Sequence, residues 1–122
     1  APKHTVNIPE RDILYLQDML SYAREAVGFA REATLESLQE DIKTTLALER
    51  AVEIVGEAAK SVSAETQEQL SQLPWRDMAR TRDFFAHHYF KIDKEVLWRI
   101  TQENLPVLIA VLEGVLPAEG HP

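Results

Sequence analysis

The residues able to do chemistry crowd into one stretch, TRDFFAHHYFKID, residues 81 to 93: Arg82, Asp83, His87, His88 and Tyr89. An imidazole moves protons near neutral pH, and a guanidinium offers a planar fork of donors to phosphate oxygens and to the charge that develops on them. A carboxylate one helical turn from an imidazole can hold it in one tautomer. These are the parts for phosphodiester chemistry without a metal.

Spacing constrains how the parts meet. On a helix, Asp83 and His87 share a face, and Arg82 and Tyr89, seven apart, share another. Arg82 and His87 are separated by about 140° around the axis and ~7.5 Å along it. They converge only if the arginine reaches round, the helix unwinds near His87, or a second subunit completes the pocket. Simpler readings stand beside this one. Arg82 can serve in an ion pair and His87 as a helix-terminal histidine favoured by the dipole. His88 can be exposed or packed, and Tyr89 can be a core-edge aromatic with its hydroxyl at water. Asp83 and His87 as metal ligands lack a third ligand at useful spacing, so no metal and no cofactor are expected.

The stretch lies in a basic island. Residues 74–100 hold six cations and four acids, whereas the whole chain carries a net charge of −7 and its remaining residues sum to −9. A general nucleic-acid-coating surface is therefore excluded, but a local polyanion site is not. Arg76, Arg80, His88 and Lys91 are the candidate phosphate contacts around it.

The elements that must position this site read as helices throughout. Ile13, Leu16, Leu20, Ala23, Val27 and Ala30 step by three and four and predict a helix over 9–31, with Glu10 and Asp12 favouring its start. TLESLQED, 34–41, reads as a short turn and restart, with Asp41 as a cap. A helix over about 41–62 carries two adjacent apolar stripes, Leu48, Val52, Val55, Ala59, Val62 and Ala51, Ile54, Ala58. This surplus of apolar surface favours a dimer, and Gly56 within it predicts close approach of a neighbouring helix. Ser63 caps a short helix ended by Pro74. A third long helix runs from Trp75 to about Tyr89, with Trp75, Met78, Arg82, Phe85 and Tyr89 on one face. Asp93 caps a helix from Lys94 that Pro106 interrupts or kinks. The expected fold is all-α, an up-and-down antiparallel bundle of four main helices plus short ones.

At 122 residues the expectation is one domain over 1–122, with an N-terminal arm at 1–8 and a C-terminal tail at 117–122. No cysteine occurs, which excludes disulfides and thiolate metal sites. No run approaches the ~18 apolar residues of a membrane span, and a soluble cytoplasmic protein is expected.

The run PWRDMARTRDFFAHHYFKIDKEVLW resembles the HEPN superfamily, in particular its HepT-like branch. The mark of that branch is an arginine, a polar residue, three more residues, then histidine, one residue and tyrosine, here Arg82, Asp83, 84–86, His87, His88 and Tyr89. Pro74, Trp75, Asp93, Trp98 and the upstream AVEIVGEAAKSVS frame it in the usual way, over about Pro9 to Leu116. Asp83 stands where asparagine is usual and His88 where glycine is frequent.

The resemblance implies a helical homodimer whose Arg82 and His87 pairs face one cleft, a metal-independent endoribonuclease with RNA as substrate. It further implies the toxin of a toxin–antitoxin pair. The antitoxin would be a minimal nucleotidyltransferase that uses ATP to adenylylate Tyr89, ATP entering only through that partner. Catalysis would rest on His87, Arg82 and Asp83. The alternative is a catalytically silent HEPN subunit that binds nucleotide or substrate and docks a nucleotidyltransferase.

Overall fold

The structure, a computed structural model, describes residues 7–87 and 93–117, and of His87 it describes the backbone alone. His88, Tyr89 and Lys91 lie outside the described residues, as do most of the expected arm and tail. Helices follow one another as α1 (Glu10–Arg31), α2 (Leu35–Leu38), α3 (Ile42–Ser61), α4 (Ala64–Gln69), α5 (Trp75–His87), α6 (Lys94–Arg99), a π-helical turn (Ile100–Asn104) and α7 (Leu105–Val115). Among the described residues there is no strand, and the fold is the all-α bundle that the periodicity predicts.

Capping explains where the chain starts each helix. Asp41 accepts a hydrogen bond from the Thr44 amide at 3.0 Å at the head of α3. Asp93 accepts from the amides of Glu95 and Val96, each at 3.1 Å, at the head of α6. Each side chain satisfies donors that the first helical turn leaves unpaired. At the other end of this last run, Leu105 donates its amide to the Ile100 carbonyl, five residues back. Pro106 follows, with no amide hydrogen and with a ring that would collide with the carbonyl four residues back in a regular helix. The widened turn relieves that conflict, so the proline is accommodated by a π-bulge rather than by a break.

Leu16, Met19, Ala23 and Ala26 of α1 and Leu48, Val52, Val55 and Ala59 of α3 form the centre of the core, joined by Phe85, Leu97, Leu105, Leu108 and Leu112. The second stripe of α3 is covered by the same chain: Ala51 and Ala58 are buried and Ile54 is half-buried. The surplus of apolar surface expected there does not exist, and it gives no argument for a dimer. The exposed large apolar side chains lie elsewhere, with Ile42 61% and Leu46 49% exposed on α3 and Phe84 42% exposed on α5.

Asp12 does more than favour the start of α1. It is fully buried and accepts hydrogen bonds from the Ser63 amide (3.2 Å), the Ser63 hydroxyl (2.5 Å) and the Thr66 hydroxyl (2.6 Å). Ser63 in turn caps α4 by accepting from the Thr66 amide. The first turn of α1 is thereby tied to the first turn of α4 and hence to the end of α3, which sets α1 and α3 antiparallel. Burial raises the carboxyl pKa, but the hydrogen bonds from Ser63 and Thr66 outweigh it and hold it below the ordinary value.

Candidate active site on α5

The residue that brings α5 to its place is Gly56. A Cβ built there would lie 2.5 Å from Arg82 Cβ and 2.8 Å from the Met78 carbonyl oxygen, so the two helices touch backbone to backbone where a side chain would begin. This is the close approach that a glycine inside a strongly periodic helix predicts. The helices run antiparallel. The last turn of α3, with Ala59 and Lys60, lines one groove with Trp75, Arg76 and Ala79 from the beginning of α5. Trp75 fixes that beginning by donating its indole N–H to the Leu70 carbonyl at 2.9 Å.

The expected face of α5 is the one that packs. Phe85 is buried, and Trp75 and Met78 are partly buried against the core. Arg82 lies on this face with its side chain 26% exposed. Its aliphatic stem runs past Gly56 and its head reaches a cluster of charges. Nη2 donates to Glu57 Oε2 at 3.4 Å and Nη1 to Asp83 Oδ1 at 3.3 Å. The same Asp83 oxygen accepts from Lys60 Nζ at 2.9 Å. Arg82 Nε is buried and has no hydrogen-bond partner among the described residues.

These contacts set the electrostatics. The hydrogen bond to Asp83 raises the Arg82 pKa further, against the effect of desolvation and with help from Glu57. Asp83 is held below its ordinary value, first by Lys60 and then by Arg82. Both groups are charged across the working pH range, and two of the five guanidinium N–H donors are engaged among the described residues.

α5 stays α-helical through His87, so the backbone does not unwind before that residue. The separation of Arg82 and His87 around the axis therefore persists, and the Arg82 head is drawn toward α3. The His87 side chain, His88, Tyr89 and Lys91 are outside what the structure describes. Arg76 and Arg80 are exposed on α5, and neither forms an ion pair among the described residues. Asp83 is brought against Lys60 and Arg82, and its Oδ2 accepts no hydrogen bond among the described residues. Among those residues no group of three or more potential ligands can hold a metal ion, and no helix is long and apolar enough to cross a membrane.

Glu57 and Lys60 are the site neighbours that the sequence reading did not select. The sequence carries a partial signal for one of them: Lys60 stands one helical turn after Gly56, on the face that a close neighbour must meet, whereas Glu57 stands about 100° away around the axis. Glu49 was also passed over. Its Oε2 is buried without a partner among the described residues, and burial together with the nearby Glu53 carboxylate raises its pKa.

A family profile described as "Ribonuclease HepT-like" matches residues 19–115. Among curated proteins, the chain is 39% identical over 94 residues to "Probable ribonuclease HepT" of Thermococcus cleftensis, covering 77% of this chain and 86% of that one. It is 33% identical over 110 residues to a "Putative RNase" of Methanocaldococcus jannaschii, covering 89% and 91% of the two chains. A second "Putative RNase" of the same archaeon is 31% identical over 107 residues, 87% of this chain and 98% of the other. No solved structure matches the chain.

Proposed function

The chain belongs to the HepT-like ribonuclease family of the HEPN superfamily, and from that premise we propose that it is a metal-independent endoribonuclease working through Arg82, His87 and Asp83. The observation that carries the reading is the seating of Arg82. Its stem is locked against Gly56, its head is charged, and its Nη atoms meet the half-exposed side chains of Glu57 and Asp83. A guanidinium held in that way is suited to an anion that arrives from outside.

In the reaction, Arg82 binds the non-bridging oxygens of the scissile phosphate and stabilises the charge of the phosphorane. His87 takes the proton of the adjacent 2′-hydroxyl as its oxygen attacks phosphorus, and an imidazolium returns a proton to the departing 5′-oxygen. The products are a 2′,3′-cyclic phosphate and a 5′-hydroxyl. Asp83 orients His87 one turn away, through the oxygen that the cations leave open. The persistent angular separation of Arg82 and His87 supports a homodimer in which two copies complete one cleft.

Within this reading the protein is the cytoplasmic toxin of a toxin–antitoxin pair. A minimal nucleotidyltransferase adenylylates Tyr89 from ATP, and the adduct places bulk and negative charge where the RNA phosphate must enter. The engagement of Arg82 by two carboxylates and the net charge of −7 favour a second reading, a silent HEPN subunit that docks a nucleotidyltransferase.

Product ends separate the two. Mass spectrometry of an RNA oligonucleotide incubated with the protein in EDTA should find 2′,3′-cyclic phosphate and 5′-hydroxyl termini, and a 2′-deoxy sugar at the cut should block the reaction. Ends bearing 5′-phosphate, or cleavage only after a divalent ion is added, would overturn the mechanism. With the partner and ATP present, Tyr89→Phe should remain active while the parent is silenced. Equal inhibition of both would remove Tyr89 as the acceptor.

A further inference from the structure

We infer that Lys60 of α3 is a second phosphate-binding cation of this site, paired with Arg82, and that Asp83 Oδ1 stands where an RNA phosphate oxygen docks. The inference rests on the ribonuclease reading and extends it to a residue on another helix.

Two cations from two helices converge on one oxygen. Lys60 Nζ donates to Asp83 Oδ1 at 2.9 Å and Arg82 Nη1 donates to the same atom at 3.3 Å, which places the two nitrogens within about 6 Å of each other. That spacing suits two non-bridging oxygens of one phosphodiester. The meeting is built into the backbone, since the Gly56 contact fixes the register of α3 against α5 and Lys60 follows Gly56 by one helical turn. The site is also open. Lys60 and Asp83 are 42% and 48% exposed in their side chains, so a phosphate can reach them without unfolding anything.

The cations continue beyond this pair. Lys60 lines the groove between α3 and α5 with Ala59, Gln67, Trp75, Arg76 and Ala79, and Arg76 carries the positive charge toward the other end of α5. Against these stand Asp83 and Glu57, the carboxylates that hold Arg82 in the free protein. An arriving phosphate takes Arg82 and Lys60 from Asp83. The released carboxylate then keeps only the imidazole four residues on as a partner, so substrate binding itself would strengthen the positioning contact that Asp83 makes.

The pairing predicts opposite effects at the two partners. Neutralising Lys60 removes a phosphate contact, whereas neutralising Asp83 removes an internal competitor. A purely structural ion pair predicts no such opposition.

The experiment is fluorescence anisotropy with a single-stranded 2′-O-methyl RNA oligonucleotide, which cannot be cut through its 2′-oxygen, titrated across a range of salt. Lys60→Gln should weaken binding roughly three- to tenfold at low salt and reduce the slope of log K against log salt by about 0.7. Lys60→Arg should restore most of the affinity, and Asp83→Asn should bind more tightly than the parent. Circular dichroism and melting establish that each variant is folded. If the parent binds and Arg82→Ala does not, while Lys60→Gln keeps the parent's affinity and slope, the assignment of Lys60 is overturned and the ribonuclease reading survives. Weaker binding with an unchanged slope, or weaker binding by Asp83→Asn, would likewise reduce the pair to a structural ion pair. A parent that binds no RNA at any salt would overturn both readings.

Discussion

Replacing Gly56 with alanine tests whether the α3–α5 contact positions the site. In an exposed helix this change adds about 1 kcal/mol of stability, because alanine loses less backbone freedom on folding. Here the new methyl would sit 2.5 Å from Arg82 Cβ and 2.8 Å from the Met78 carbonyl oxygen, while ordinary contact begins at 3.4 Å. Neither atom is the end of a flexible chain, so α5 itself must move away by roughly 1 Å. Overpacking of this kind costs about 1–3 kcal/mol, which offsets the propensity gain and leaves a net loss of about 0–2 kcal/mol. The effect on chemistry should be larger than the effect on stability. Arg82 is the residue displaced, and a 1 Å misplacement of a catalytic group can cost about 10²-fold. Urea unfolding and RNA cleavage kinetics on the same preparation read the two quantities. A variant about 1 kcal/mol more stable than the parent, with unaltered cleavage, would refute the idea that Gly56 sets the place of Arg82.

Two further perturbations concern carboxyls outside the reaction. Asp12→Asn keeps one acceptor oxygen but loses the charge that three donors address, and should cost about 2 kcal/mol at neutral pH. Because the folded-state pKa of Asp12 is lowered, its contribution is present above the unfolded value of 3.8 and fades as pH falls through the folded value. Parent and variant melting curves should therefore approach each other only in acid, and a gap independent of pH would contradict the assignment. Glu49 has the opposite sign. Its folded pKa is raised, so its contribution is full below the unfolded value of 4.5 and is lost as pH rises through the folded value. Glu49→Gln should raise the melting temperature near pH 7 and leave it little changed near pH 4, and destabilisation at pH 7 would show that the carboxylate has a partner.

Much of this architecture is legible in the sequence because its signals are local. The steps of three and four that mark α1 and α3, the caps at Asp41, Ser63 and Asp93, and the break in regular helix before Pro106 all depend on residues within a turn or two. Gly56 announced a close neighbour but not which one. The unread features depend on register between distant segments. Asp12 meets Ser63 and Thr66 across 51 and 54 residues, and Lys60 meets Asp83 across 23. The second stripe of α3 shows the same limit. Apolar surface could be counted, but whether this chain or a second copy covers it depends on how α1 and α5 pack. Within the site, the sequence marked Arg82 and Asp83 as chemistry-bearing, while the carboxylate and ammonium that α3 sets against them, Glu57 and Lys60, came only with the fold.

The central claim is that cleavage lives on α5 and needs no metal. It is tested most directly by incubating RNA in EDTA with the unmodified protein, its lack of an adduct on Tyr89 established by mass, beside Arg82→Ala and His87→Ala variants of unchanged fold and oligomeric state. The parent should cut, and each variant should fall by at least about 10²-fold. A parent that does not cut, or variants that cut as well as the parent, would contradict it.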